Sequence, residues 1–109
     1  MKRKVSVAPT AEKAAAVERN GLIVVSGPLV FDTVPDLYEQ TRGWLERPGG
    51  AVSADLRAVS RADSAGLALF VEWLRLAKTT GRALTFINVP EQVHSLIRVN
   101  GLEEALGVK

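Results

Sequence analysis

The sequence predicts an α/β domain: a single mixed β-sheet of about four or five strands that opens with a hairpin and is packed with three to four α-helices. Three observations carry this. Asn20-Gly21 stands between two apolar runs, and this dipeptide best accommodates the positive φ angles of a two-residue type I′ turn. Further along, apolar runs of strand length alternate with stretches of helical period, which implies crossover connections and hence parallel neighbours. Finally, 109 residues suffice for one core and are too few for two domains.

Taken in order, residues 1–12 lack periodicity and read as a loose, disordered lead-in, with the folded domain occupying 13–109. Ala14–Arg19 and Leu22–Ser26 are the arms of the hairpin. Leu22-Ile23-Val24-Val25 is apolar on both faces, which suits a strand in the middle of its sheet. Gly27-Pro28 should end that strand. Thr33 with Asp36 three residues later has the form of a capping box, with Pro35 in the first turn, where its missing N–H does no harm. Leu37, Tyr38, Thr41, Trp44 and Leu45 recur at helical spacing until Pro48-Gly49-Gly50 stops the helix.

A third strand, Ala51–Leu56, leads through a short loop into a long helix from about Ser64 to Thr80. Gly81 supplies its left-handed end. Ala83–Val89 reads as a strand and Pro90 opens a helix whose Val93, Leu96 and Ile97 face inward. Asn100-Gly101 closes that helix, and Leu102–Leu106 forms a short last one.

The long helix carries more apolar surface than one contact needs. Leu67, Phe70, Val71, Leu74 and Ala77 form a stripe suited to the sheet, whereas Leu69, Trp73 and Leu76 form another about a third of a turn away. The extra stripe must pack under a neighbouring element or meet another protein. Trp73 is then the anchor by residue type. Glu72, Arg75 and Lys78 lie on the polar side, the two cations within reach of an interface rim. Tyr38 and Trp44 suit core packing, Asp32 and Asp36 suit a helix start, and Gly27 and Gly66 serve backbone geometry or close packing.

Composition removes whole classes of function. With no cysteine and one histidine, His94, neither a thiolate site nor a multi-histidine metal centre can form. The net charge is +2, but without Lys2, Arg3 and Lys4 the body falls to −1, which is no phosphate-tracking surface. No nucleic-acid partner is therefore expected. Pro9, Glu12 and Lys13 break the apolar stretch that a secretion signal requires, and no window has the length of an apolar membrane span. A cytoplasmic protein without direct membrane insertion is expected. Phosphate loops, dinucleotide fingerprints and nucleophile elbows are absent from the sequence, so neither an enzyme nor a cofactor is expected.

The most informative stretch runs from Asp55-Leu56 through Arg57 and Arg61 to Asp63-Ser64-Ala65-Gly66-Leu67. Ser64 stands where a hydroxyl can cap the first turn, a role worth about 1 kcal/mol. A phosphate there would meet the helix dipole and gain from Arg57 or Arg61 if either reaches, while Asp63 would oppose it. These residues and the helix after them, with Glu72-Trp73-Leu74, resemble the STAS domain, the sulfate-transporter and anti-sigma-factor-antagonist module, over about residues 14–106. Within it they look most like the MlaB type.

The resemblance implies a STAS fold. It also implies a non-enzymatic docking subunit whose partner is the cytoplasmic ATPase of a phospholipid-transporting ABC complex that maintains outer-membrane lipid asymmetry. The protein would then sit at the inner face of the inner membrane through that partner. The alternative it implies is an anti-sigma-factor antagonist regulated by phosphorylation of Ser64, with an anti-sigma-factor kinase as partner. Ala65 departs from many antagonists, which carry a second hydroxyl there. The expected contact surface is Ser64 with Arg61, Asp63, Ala65, Leu69, Trp73 and Leu76. An apolar stripe of this kind would also allow a weak homodimer.

Overall fold

The computed structural model describes residues 13–108. The expectation of a disordered lead-in over 1–12 lies outside them. β1 (Ala15–Arg19) and β2 (Leu22–Leu29) form the hairpin, and Asn20 and Gly21 take φ of 53° and 81°, the left-handed pair a type I′ turn demands. α1 (Val34–Glu46) crosses over to β3 (Val52–Ala62), and α2 (Ser64–Thr79) crosses over to β4 (Leu84–Ile87). α3 (Glu91–Val99) and α4 (Glu103–Leu106) complete the chain. The sheet order is β1-β2-β3-β4, with the hairpin antiparallel and the other two pairings parallel. Four strands in a mixed sheet and four helices match the expected architecture.

β2 is interior in the sheet as its apolar run suggests, yet only one of its faces is covered. Ile23 and Val25 are fully buried, whereas Leu22 and Val24 are each 37% exposed and Val17 beside them is 64% exposed. All the helices therefore lie on the Ile23 side, in a two-layer arrangement with one continuous core. At its centre the Phe70 ring lies between Trp73 and Phe86, at centroid distances of 5.9 and 5.1 Å.

Two strand ends differ from expectation for one reason. Gly27-Pro28 does not end β2, and β3 does not stop at Leu56. The two strands stay paired as far as Leu29 opposite Ala62, absorbing two register irregularities on the way. The residues read as a loop, 57–62, are thus the second half of a strand. β4 in turn is shorter than Ala83–Val89.

The capping box is not formed either. The Thr33 hydroxyl donates to the Pro28 carbonyl at 2.7 Å and accepts the Val30 N–H at 3.0 Å, so it fastens its own loop instead of the α1 N-terminus. At the far end of α2 the expectation holds: Gly81 has φ +74°, and Arg82 N–H returns to the Ala77 carbonyl at 2.9 Å.

Candidate partner-binding site

The junction between β3 and α2 is a single residue, Asp63. It is this side chain, not the expected Ser64, that caps α2. Its Oδ1 accepts from the Ala65 and Gly66 N–H groups at 2.8 and 3.4 Å. Because β3 runs on to Ala62, the first helical residue is Ser64 and the cap falls one position earlier. Ser64 is exposed, and among the described residues its hydroxyl makes no hydrogen bond. It is held at the surface with its donor and acceptor capacity unspent.

Close approach of α2 to the sheet fixes this placement. A Cβ on Gly66 would stand 2.6 Å from the Leu29 carbonyl oxygen and 3.0 Å from the Ala62 Cβ, so only glycine lets the helix start against the ends of β2 and β3. The Asp63 N–H also reaches the Leu29 carbonyl, at 3.2 Å. Ser64 is thereby anchored by backbone on both sides.

Leu69, Trp73 and Leu76, expected to face a partner, are interior, at 2%, 0% and 5% exposure. α1 lies along α2 and covers them. The Trp73 indole N–H donates at 2.8 Å to Thr41 Oγ1 on α1, and that hydroxyl, itself fully buried, donates in turn to the Leu37 carbonyl at 2.9 Å. Every polar atom brought in with the tryptophan is satisfied, which is the condition for sealing it. Conversely Val71, assigned to the sheet-facing stripe, is 43% exposed. α2 has one broad buried arc because it is covered from two directions, the sheet and α1.

What remains exposed near Ser64 is different. Phe31, in the loop between β2 and α1, is 78% exposed, and its N–H donates to Asp63 Oδ2 at 3.1 Å, which places the loop directly beside the start of α2. From there a shallow groove of about 400 Å³ runs between α1 and α2, lined by Val34, Pro35, Tyr38, Ala68, Leu69 and Glu72. Its far end is polar. The Tyr38 hydroxyl donates to Glu72 Oε2 at 3.4 Å, Glu72 is paired with Arg75, and the Arg42 guanidinium sits 5.3 Å over the Tyr38 ring. Arg75 holds the Glu72 carboxyl below its ordinary range.

Of the expected site residues, Ser64, Ala65, Asp63 and Arg61 gather at the β3–α2 junction, with Ser64 and Arg61 exposed and the other two half-buried. Phe31 was missed. It lies outside every periodic segment, and its only sequence signal is a large apolar side chain in a turn with no helical or strand neighbour to pack on. His94 is half-buried on α3, with Arg98 3.1 Å from its Nδ1. Among the described residues no group of three histidine, cysteine, aspartate or glutamate side chains could hold a metal ion.

This arrangement, a two-layer mixed sheet with an exposed hydroxyl on the first residue of its second helix, agrees with a match to the family model described as "Mlab, STAS domain" over residues 13–108. The chain belongs to the STAS-domain family. It is 31% identical over 91 residues to the intermembrane phospholipid transport system binding protein MlaB of Escherichia coli, covering 84% of this chain and 91% of the relative. To an anti-sigma-B factor antagonist of Staphylococcus epidermidis it is 31% identical over 86 residues, covering 79% of this chain and 80% of the other. The crystal structure of an anti-sigma factor antagonist from Mycobacterium paratuberculosis superposes with a TM-score of 0.67 at 23% identity, over 87% of this chain and 82% of that one. That likeness extends to the fold of this STAS domain. Among the described residues, no helix is long and apolar enough to cross a membrane.

Proposed function

We propose that this STAS domain is a non-enzymatic subunit that docks on the cytoplasmic ATPase of a phospholipid-transporting ABC complex and supports its working arrangement. Its docking surface is the shoulder formed by Ser64, Ala65 and Phe31, with the α1–α2 groove beside it. One observation carries the reading: a serine hydroxyl without a bond among the described residues stands at the start of α2, and the loop hydrogen-bonded to the preceding Asp63 carries an aromatic side chain that is 78% exposed. A rigid apolar anchor beside a free hydroxyl is what a protein partner recognises. The similarity to a relative named as the binding protein of an intermembrane phospholipid transport system supports a partner within such a system. ATP and lipid are then handled by other subunits. The domain works in the cytoplasm, held at the inner face of the inner membrane by its partner.

The test is co-purification of the ATPase with this chain. Wild type should carry the ATPase through the column, and the double variant Ser64→Asp with Phe31→Ala should lose it, while circular dichroism shows an unchanged fold. Normal complex formation by that folded double variant would remove the shoulder from the interface.

A second reading, an anti-sigma-factor antagonist, is favoured by the same free hydroxyl and by the staphylococcal relatives. In it Ser64 accepts phosphate from a kinase that is also the anti-sigma factor, and the unmodified form captures that kinase. A phosphate beside Asp63 adds like charge at the contact surface and would release the partner. Affinity capture from the native cell, with mass determination of Ser64, separates the two: an ABC ATPase on an unmodified chain, or a kinase and a phosphoserine.

A further inference from the structure

Asp63 uses both carboxylate oxygens, and they serve different segments. Oδ1 accepts from Ala65 and Gly66 and so caps α2, while Oδ2 accepts the Phe31 N–H from the loop that follows β2. The loop has its own fastening at the other end, where the Thr33 hydroxyl bonds to Val30 and Pro28. Between those points, among the described residues, the Phe31 backbone is tied by the Asp63 oxygen alone. Phe31 and Ser64 are far apart in sequence but share this one side chain as their reference point.

We propose that Asp63 is a positioning residue: its second oxygen fixes Phe31 beside Ser64, so that the aromatic and the hydroxyl reach a partner as one preformed surface. This rests on the shoulder being the docking surface and assigns Asp63, expected to be a contact, an indirect role. A preformed surface binds better because less ordering remains to be done at the moment of association. The chemistry also says why a carboxylate is needed. Serine, threonine and asparagine all cap a helix, but none offers two acceptor oxygens; asparagine presents one oxygen and an NH2 donor.

Asp63→Asn is therefore the discriminating variant, since it keeps the cap and loses the tie to Phe31. In the full-length chain, amide exchange at Phe31 should quicken about fivefold or more, as for the loss of one hydrogen bond, with Ala65 and Gly66 little changed. Asp63→Ser, a competent cap that also lacks the second acceptor, should behave alike. Unchanged exchange at Phe31 in both would overturn the positioning role.

Binding of the purified ATPase then distinguishes positioning from contact. Asp63→Asn should weaken binding in the wild-type background and have little further effect in a Phe31→Ala background, because it acts through Phe31. Full additivity would make Asp63 a direct contact and overturn the proposal. If the ATPase fails to bind even the wild-type chain, the docking reading falls, and the exchange measurement still decides whether Asp63 sets the Phe31 loop.

Discussion

The middle of α2 and its first turn lie within three helical turns of each other and have opposite fates. At Trp73 a large aromatic is fully buried with its one polar atom bonded; at Ser64 a small polar residue is exposed with its hydroxyl unbonded. Residue type pointed the other way, since tryptophan is the commoner interface anchor. The same amphipathic ring that anchors an interface anchors a core whenever a partner for its N–H lies inside the fold, and Thr41 on α1 provides it. The difference teaches that the proposed docking surface is to be sought among side chains left without intramolecular work. By that standard Phe31 and Ser64 qualify, and Leu69, Trp73 and Leu76 do not.

The contrast breaks most severely at Trp73. Trp73→Ala should destabilise the domain by about 3–5 kcal/mol through lost packing and a cavity beside Phe70. Thr41→Val, which leaves the indole N–H buried without an acceptor, should cost about 1–3 kcal/mol while removing little volume. Urea unfolding monitored by tryptophan fluorescence measures both. A Trp73→Ala protein of unchanged stability that no longer held its partner would restore the extra stripe to the interface and overturn the comparison.

Phe31→Ala probes the opposite arm. Losing an exposed ring should change stability by no more than about 0.5 kcal/mol. Affinity for the partner should nonetheless fall about tenfold or more, the behaviour of an anchor at the centre of a contact. Isothermal titration against the purified ATPase, paired with an unfolding curve, gives both numbers from one preparation. A large stability loss would mean that Phe31 has interior work after all.

These two arms also mark what could be read from the chain. The hairpin, the start of α2 and the Gly81 ending were legible because each depends on a few adjacent residues: Asn20-Gly21, Asp63-Ser64 and Thr80-Gly81. The extent of β3 was not, because Arg57–Ala62 carries no clean alternation and is kept in the sheet by pairing with β2, on a strand thirty residues earlier. The cap then shifted from Ser64 to Asp63, since both residues are competent and only the end of β3 decides between them. Thr33 and Asp36 had the right spacing for a capping box, but the Thr33 hydroxyl found closer partners in its own loop. Burial of Trp73 depended on α1 lying alongside, which no local pattern announces. Arg82 is a comparable case: its guanidinium donates to the carbonyls of Trp44 and Gly50 at 2.7 and 2.8 Å, closing the end of α1 from a position beyond α2.

The smallest expected effect concerns Asp55, part of the same signature but placed on the uncovered face of the sheet. Its Oδ1 accepts from the Arg57 N–H at 3.0 Å and from the Asn88 amide at 3.2 Å, so it braces β3 against the residue that follows β4. The Arg57 N–H holds this carboxyl below its ordinary value; partial loss of water opposes that, and Asn88 adds to it. A carboxyl whose folded value is depressed contributes stability that is present above its unfolded value, about 3.9, and lost as pH falls through the lower folded value. The dependence should be shallow because the group is open to solvent, where screening keeps such terms small. Asp55→Asn should leave stability near pH 7 slightly lower and flatten the acid limb of a stability–pH curve. An acid limb unchanged by the substitution would confine Asp55 to a passive place on the open face, and the acid sensitivity would pass to Glu72, whose carboxyl Arg75 depresses in the same direction beside the α1–α2 groove.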